Sequence, residues 1–248
     1  MLKNKLKSNA TKIDLFLKKY LKGQKKSLLI SPMNYGVLSG GKKIRSSIIF
    51  ATGKLYNLKS NNLLNICGAV ECIHSYSLIH DDLPCMDNDK LRRGKATAHI
   101  KYGESTAVLA GNSLLTLAFE MISDNKFKIK DKNKVLLIKK LAECSGHTGI
   151  AGGQELDLKY EKKRKNFKDI INMQRKKTGK LFSFCCFAAG QIAGKSNKEN
   201  IDLIKLGEDI GLLFQLADDF LDVKGKSKYT GKTVNKDKKK GKSTIINL

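Results

Sequence analysis

The chain of 248 residues has no Trp, only two Pro and only 7% aromatic residues. The shortage of Pro, of aromatic residues and of alternating β-branched runs disfavours a strand-rich protein and predicts an all-helical one. Its six cysteines include no C-x-x-C pair and show no metal-ligand spacing. Most of them lie in apolar helical runs, which is typical of free thiols in a reducing compartment. We therefore expect a cytoplasmic protein.

Long hydrophobic runs and arginine are also scarce. Residues 1–7 are basic, but no apolar signal segment follows them, and no apolar run approaches the length of a membrane span. The formal net charge of +25 would ordinarily favour a nucleic acid or an anionic membrane as partner. However, only five of the 48 basic residues are Arg, and the Lys residues are spread along the chain. We expect neither nucleic-acid binding nor membrane insertion.

One long segment contains no Lys or Arg at all, which is unusual in this chain. It runs from Ser60 to Asp89, and its apolar residues recur at helical spacing between Leu63 and Ile73. Four aspartates close the segment: Asp81, Asp82, Asp87 and Asp89. Pro84 must break the helix, so the later aspartates should return towards Asp81 from a turn. Such oxygen-only clusters suit Mg²⁺, and the alternative is an acidic helix end exposed to water.

A second acidic segment differs in pattern from the first. Asp218 and Asp222 are four residues apart and so share a helix face, with Gln215 on the same stripe. No Lys occurs from Ile210 to Val223, whereas a solvated helix of this chain should carry cations at that spacing. Two acidic helix faces combined with several separate basic sites indicate Mg²⁺ ions that bridge to a diphosphate. The rest of such a ligand should be hydrocarbon.

The remaining pattern predicts helices separated by short loops. We expect helices at 9–22, from the Gly-rich segment 38–45 to Tyr56, and at 104–122, 132–145, 167–194 and 199–223. Gly23 and Pro32 should bracket a loop, and the charged residues 155–168 should form an outer loop. No linker or repeat interrupts the chain, which we interpret as a single domain over 1–248.

Several motifs occur together in the order found in one enzyme family. They are Gly41-Lys42-Lys43-Ile44-Arg45, the segment Asp81–Asp89 with Arg92-Arg93-Gly94, Lys177-Thr178, Phe214-Gln215 with Asp218–Asp222, and Gly241-Lys242-Ser243-Thr244. In this order the chain resembles the trans-prenyl diphosphate synthases, and most of all their bacterial farnesyl type. The resemblance implies an all-α, single-domain helical bundle around a deep central cavity, the isoprenoid synthase fold. It also implies a homodimer and Mg²⁺-dependent condensation of isopentenyl diphosphate with dimethylallyl or geranyl diphosphate.

The same resemblance implies roles for individual residues. About three Mg²⁺ ions would be held on the allylic diphosphate by carboxylates; these are Asp81, Asp82, Asp87, Asp218 and Asp222. The allylic diphosphate would also contact Arg92, Lys177, Lys232 and Lys242. The diphosphate of isopentenyl diphosphate would be bound by Lys42, Arg45, Arg93 and His74. Thr178 and Gln215, with Lys177, would act catalytically beside the developing allylic cation. Tyr76, five residues before Asp81, would form the floor that stops growth at the farnesyl length.

Other interpretations of these residues are open. His74 alone is compatible with an ordinary core histidine, and residues 154–157 are best read as packing. Ser46 stands where the family usually has Pro. The family continues for further helices after the segment that ends here at Leu248, so we expect a C-terminally shortened bundle with exposed apolar surface. Geranyl or geranylgeranyl diphosphate is an alternative product, and a non-catalytic subunit of a heteromeric synthase is an alternative function.

Overall fold

The computed structural model describes residues 2–224, with side chains up to residue 223, and this part of the chain is helical almost throughout. Its α-helices are, in chain order, α1 (Leu2–Lys22), α2 (Ile30–Val37), α3 (Ile44–Leu55), α4 (Leu64–Asp81), α5 (Ala98–Tyr102), α6 (Glu104–Ser123), α7 (Asp131–Ser145), α8 (Ile150–Tyr160), α9 (Phe167–Gln174), α10 (Lys180–Ile192) and α11 (Asn197–Lys224). A 3₁₀ turn at Ser60–Leu63 precedes α4, and a π-helical turn at Arg175–Gly179 joins α9 to α10. The all-α prediction is confirmed.

The described chain divides into two compact units. The first contains the described residues up to Ile138 together with Ala188–Gly194. Its core is the packing of α4 against α6, and both helices bury runs of apolar and small residues. Gly111 on α6 is one reason for the close approach, because a Cβ there would overlap the imidazole of His80. The close packing of α4 on α6 therefore fixes the position of the acidic C-terminal end of α4.

The second unit contains the described residues of Lys139–Phe187 and from Lys195 onwards. Its core includes Phe182 and Phe184, both fully buried. Burial of each ring contributes about 3 kcal/mol to the hydrophobic stabilisation. The π-helical turn packs against α8, α9 and α11, so it lies at the centre of this unit.

Three local predictions differ from the structure. Pro32 lies in the first turn of α2 rather than in a loop, which is possible because the amide that Pro lacks has no partner in a first helical turn anyway. Helix α8 extends to Tyr160, although residues from 155 onwards suggested an outer loop. The helix expected over 167–194 is interrupted by the π-helical turn at Arg175–Gly179. In addition, the two-residue strands β1 (Leu91–Arg92) and β2 (Lys95–Ala96) pair antiparallel and leave Arg93 and Gly94 as the turn between them.

Helix α6 is long and apolar. Within the described residues α6 is one helix that is long and apolar enough, by length and composition, to cross a membrane. The expectation that no apolar run approaches this length is therefore wrong for α6. Its buried residues, from Ala107 to Ile122, face the core around α4, as they do in the central helix of a soluble protein.

The cysteines behave as small apolar residues. Five of the six are buried, and Cys85 is exposed. Burial raises the pKa of Cys72 to about 12 and that of Cys144 to about 11. These thiols stay protonated at neutral pH, and their contribution is packing.

Candidate active site

The first acidic motif forms a tight turn at the end of α4. Helix α4 ends at Asp81, and Pro84 prevents its continuation. The amide of Asp87 donates to the carbonyl of Asp81 at 2.9 Å, and the amide of Asp89 donates to the carbonyl of Asp82 at 3.2 Å. The return of the chain towards Asp81, which Pro84 predicted, is confirmed. Asp81, Asp82 and Asp87 therefore belong to one short acidic turn.

Arg92 is held by this turn. Its Nε lies 2.9 and 2.8 Å from the two carboxylate oxygens of Asp82, and its terminal nitrogen donates to Asp82 Oδ1 at 2.6 Å. Asp89 adds a longer ion pair at 3.8 Å. Burial opposes the charge on Arg92, but the hydrogen bonds and charge of Asp82, with Asp81 and Asp89, outweigh it and raise the pKa of Arg92. Asp82 and Arg92 thus form a charge-matched pair at the base of the turn.

The donor set of this turn fits Mg²⁺. Its side-chain ligands are carboxylate oxygens, which this cation prefers. In the part of the chain that the structure describes, no group of three or more His, Cys, Asp or Glu side chains converges on one point. Mg²⁺ usually takes only one or two carboxylates, and phosphate oxygens and water complete its octahedron. The turn therefore suits an ion that arrives with a phosphorylated substrate.

A basic cluster lies beside the acidic turn. Arg93 follows Arg92 and points to the Gly-rich segment, where its guanidinium donates to the carbonyl of Gly40 and lies 3.3 Å from Ser39 Oγ. Gly41 makes this contact possible, because a Cβ there would lie 2.7 Å from the Arg93 Cζ. Gly41 also has φ +109°, a conformation that side chains disfavour. Lys42, the next residue, is exposed.

Lys43 anchors the Gly-rich segment, a role that the sequence did not reveal. It precedes α3 in the left-handed conformation, and its buried ammonium donates to the carbonyl of Val37 at 2.7 Å. Asp14 and Glu71 lie 3.5 and 3.6 Å from it. Ser46, the departure from the family's Pro, uses its hydroxyl to donate to Glu71 at 2.7 Å. The residues next to Lys43 in the sequence do not reveal this role, because its ionic partners Asp14 and Glu71 come from distant segments.

His74 on α4 is surrounded by positive charge. Burial lowers the pKa of His74 well below its ordinary value, and the charges of Arg45, Arg93, Lys43 and Arg92 lower it further. The imidazole is therefore neutral at pH 7 and can donate one hydrogen bond. Burial, followed by the charge of Arg92, also lowers the pKa of Arg93. A cluster whose members suppress each other's charge is suited to an anion that relieves the repulsion.

The lowered pKa of His74 predicts a pH-dependent stability. Above the ordinary pKa of 6.5, His74 is neutral in both the folded and the unfolded protein. The free energy of unfolding therefore does not depend on the protonation of His74 in that pH range. Below it the unfolded chain binds a proton that the folded protein refuses, so the free energy of unfolding falls as the pH decreases. Each decrease of one pH unit in this range should lower the free energy of unfolding by about 1 kcal/mol. Urea denaturation at several pH values should show this slope in the wild type and a shallower one in His74→Asn. The exposed His147→Asn serves as the matched control, and equal slopes in all three proteins would contradict the prediction.

Tyr76 lies below the acidic turn in the core of the first unit. It is 8% exposed, and its ring meets that of His80 edge to face at 5.6 Å. Burial and then the charge of Asp81 raise the pKa of Tyr76, so the phenol is neutral. Five helical residues place its Cα about 7.5 Å along α4 from that of Asp81. This position is compatible with the predicted floor, which stays a prediction.

The π-helical turn in the second unit presents Lys177 and Thr178. Two glycines allow its close packing: a Cβ on Gly153 of α8 would lie 2.5 Å from the Cα of Lys177, and one on Gly211 of α11 would lie 2.7 Å from the Cα of Gly179. Lys177 Nζ donates to Asp157 at 2.7 Å. Asp157, which we interpreted as packing, is in fact the ionic partner of Lys177.

A hydrogen-bonded chain connects the π-helical turn to α11. Thr178 Oγ1 donates to Gln215 Oε1 at 3.0 Å, and Gln215 Nε2 donates to Asp219 Oδ1 at 2.8 Å. Gln174 Nε2 donates to the other oxygen of Asp219, also at 2.8 Å. The structure thus brings Thr178 and Gln215 together as partners. Asp219, which is 2% exposed, was not among the predicted site residues.

The rest of the second motif lies on a partly exposed stretch of α11. Asp218 and Asp222 are half-buried. Leu213 and Phe220 on the same stretch are 68% and 55% exposed. The predicted diphosphate ligands Lys232 and Lys242 lie outside the described residues.

These features define a class of protein. A family model for polyprenyl synthetases matches residues 26–248, and the chain belongs to this family. It is 43% identical over 218 residues to farnesyl diphosphate synthase of Escherichia coli (strain K12), which covers 87% of this chain and 73% of that protein.

Solved structures share the fold. An FPP/GFPP synthase from Zymomonas mobilis in its apo form superposes with a TM-score of 0.84 at 39% identity, covering 91% of this chain and 82% of the other. A geranyltransferase from Helicobacter pylori, solved in complex with magnesium and isoprenyl diphosphate, superposes with a TM-score of 0.82 at 33% identity. The coverage is 97% of this chain and 83% of that one.

Proposed function

We propose that the protein is a Mg²⁺-dependent prenyltransferase that condenses isopentenyl diphosphate with dimethylallyl or geranyl diphosphate to give farnesyl diphosphate and pyrophosphate. One observation carries this function. The first unit holds two anion sites of different chemistry side by side: a carboxylate turn suited to a metal-bound diphosphate, and a cationic cluster around neutral His74 suited to a metal-free one. The consecutive residues Arg92 and Arg93 join them. The named relatives support the same reaction.

The residues that act on the two diphosphates have three roles in this reaction. Lys42, Arg45, Arg93 and neutral His74 bind the diphosphate of isopentenyl diphosphate and hold its double bond for attack. Asp81, Asp82, Asp87, Asp218 and Asp222 would hold Mg²⁺, which supplies positive charge to the departing pyrophosphate. Arg92 and Lys177 bind the same diphosphate. Since negative charge grows on pyrophosphate as it leaves, fixed cations there stabilise the transition state more than the ground state.

Other residues lie beside the hydrocarbon part of the allylic substrate. Thr178 and Gln215 offer oxygen atoms to the allylic cation that remains after departure. The double bond of isopentenyl diphosphate then forms the new carbon–carbon bond. The proton released afterwards passes to the departing pyrophosphate, so no protein base is needed. Because the double bond itself attacks the cation, no protein nucleophile takes part.

A homodimer is part of the proposal. Helix α6 buries one face against the core of the first unit but leaves Leu109 52% exposed and Val108 37% exposed on another. Leu136 on α7 is likewise 37% exposed and Val135 64% exposed. Apolar surface of this kind on core helices suits a second copy of the chain. Sedimentation velocity at several concentrations measures this association directly.

One assay tests the function. Purified protein is incubated with Mg²⁺, dimethylallyl diphosphate and isopentenyl diphosphate, and the dephosphorylated products are separated by chromatography. Farnesol as the main alcohol is the expected result. Geraniol or geranylgeraniol instead would assign another chain length. Absence of any product, with substrate binding intact, would identify a non-catalytic subunit.

Product length should respond to Tyr76. In Tyr76→Ala the ring that closes the space below Asp81 is removed, so the growing chain should extend beyond farnesyl and longer alcohols should appear. The substitution removes a buried aromatic side chain and should also cost about 3 kcal/mol of stability. Tyr160→Ala is the control, because it removes the same side chain from a half-buried position at the end of α8. An unchanged product pattern in Tyr76→Ala would contradict a floor at this position.

A further inference from the structure

The middle carboxylate of the second acidic motif differs from its neighbours. Asp218 and Asp222 are half-buried, whereas Asp219 is only 2% exposed. It accepts hydrogen bonds from the amides of Gln174 and Gln215, each at 2.8 Å. Both oxygens of Asp219 therefore have a neutral amide donor within its own unit. This is the environment of a carboxylate that organises side chains around it.

The chemistry of Asp219 fixes the orientation of the Gln215 amide. A carboxylate can only accept hydrogen bonds, so the NH₂ group of Gln215 must face it. The amide oxygen then points the other way, where the Thr178 hydroxyl donates to it at 3.0 Å. Both hydrogen bonds agree with this orientation, and the reversed amide would break both of them. The hydroxyl proton of Thr178 is also used in this hydrogen bond, so its oxygen can offer only lone pairs to a ligand.

We propose that Asp219 is a positioning residue for prenyl transfer: through Gln215 and Thr178 it turns the negative ends of two polar groups towards the allylic cation. The inference rests on the function proposed above. A reversed Gln215 amide would instead present N–H groups, whose positive ends oppose a cation. Because the orientation is set before the reaction, no reorganisation is needed when the cation forms.

The position of Asp219 in an aspartate triplet suggests a competing role as a metal ligand. The two roles predict different kinetics. A ligand lost from the metal site raises the Mg²⁺ concentration needed for half-maximal rate and the KM of the allylic diphosphate. A positioning residue that acts only on the cation lowers kcat and leaves both of those constants unchanged.

The central test is Asp219→Asn, which keeps the shape but allows the new amide to donate and Gln215 to reverse. We expect kcat to fall about 10- to 100-fold at saturating Mg²⁺. The Mg²⁺ half-saturation and the KM values of both diphosphates should stay within about twofold of the wild type. Asp202→Asn, an exposed substitution of the same type on α11, is the matched control and should leave all constants unchanged.

A double-variant cycle tests the route through Gln215. In a Gln215→Leu background, Asp219→Asn should change kcat by less than about twofold, because the group it orients is already gone. If the fold-decreases in kcat of the two single variants multiply in the double variant, the proposal is overturned. A raised Mg²⁺ requirement in Asp219→Asn would overturn it as well. Asp219→Glu keeps an acceptor-only carboxylate and should restore part of kcat. If Asp219→Asn does not fold, the Mg²⁺ half-saturation and the KM values are measured on Asp219→Glu instead.

A binding measurement separates this inference from the proposed function. The probe is an allylic diphosphate analogue with a protonated amine where the cationic carbon forms, compared by calorimetry with the uncharged analogue. Asp219→Asn should lose at least about tenfold of the preference for the charged analogue, since the analogue mimics the transition state. An unchanged preference would overturn the positioning role even if the wild type makes farnesyl diphosphate. A wild type that makes no product contradicts the proposed function instead.

Discussion

Gly153→Ala is expected to lower kcat about 100-fold, a large effect for one added methyl group. The new Cβ would lie 2.5 Å from the Cα of Lys177 and closer still to its backbone nitrogen. The atoms that must move are backbone atoms of the π-helical turn, so no flexible side chain can absorb the overlap. Lys177 and Thr178 would both be displaced, and a shift of about 1 Å at catalytic groups is enough for such a loss.

The same substitution should cost about 1–3 kcal/mol of stability, the usual price of an overpacked contact. Steady-state kinetics and urea denaturation of the same preparation separate the two effects. Gly23→Ala is the matched control, because its Cβ would meet the carbonyl oxygens of Tyr20 at 3.5 Å and Lys19 at 3.7 Å, both ordinary contacts. Activity of Gly153→Ala within about threefold of the wild type would show that the α8 contact does not set the position of the turn.

Features that depend on local chemistry could be predicted from the sequence. Pro84 ends α4 wherever its neighbours lie, so the return of Asp87 to Asp81 followed from the chain itself. The spacing of Asp218 and Asp222 fixed their common helix face in the same way. The apolar character of the buried cysteines also follows from short-range rules, because most of them lie in apolar helical runs.

Other features depend on partners that are distant in sequence. Lys43 is a buried anchor because Asp14 and Glu71 meet it there, and the motif alone marked it only as one of two adjacent lysines. Asp157 became the partner of Lys177 through the packing of α8 on the π-helical turn. That turn itself was missed because the residues that follow it, 181–189, are apolar nearly all round, which hides the change of helical phase that one extra residue produces. π-Helical turns of this kind are frequent at functional sites, and this one carries two predicted catalytic residues.

Arg92→Met is expected to destabilise the protein by about 3 kcal/mol, more than the removal of an ordinary ion pair. Asp82 and Asp89 are only 3% and 8% exposed, and Arg92 lies within ion-pair distance of both. Without it, two buried carboxylates next to Asp81 lose their shared counter-charge, and water cannot easily replace it. Urea or thermal denaturation in the absence of substrate measures this effect independently of any role of Arg92 in binding diphosphate.

The pair can be isolated by a second substitution. Asp82→Asn alone should cost less, about 1 kcal/mol, because the guanidinium that remains is partly exposed and can be hydrated. In the double variant neither charge is left without its partner. The sum of the stability losses of the two single variants should therefore exceed the loss of the double variant by at least about 1 kcal/mol. Lys140→Met removes the surface pair with Glu143, 3.2 Å apart, and should stay within about 0.5 kcal/mol of the wild type. Strictly additive losses at Arg92 and Asp82 would mean that their short hydrogen bonds do not stabilise the turn.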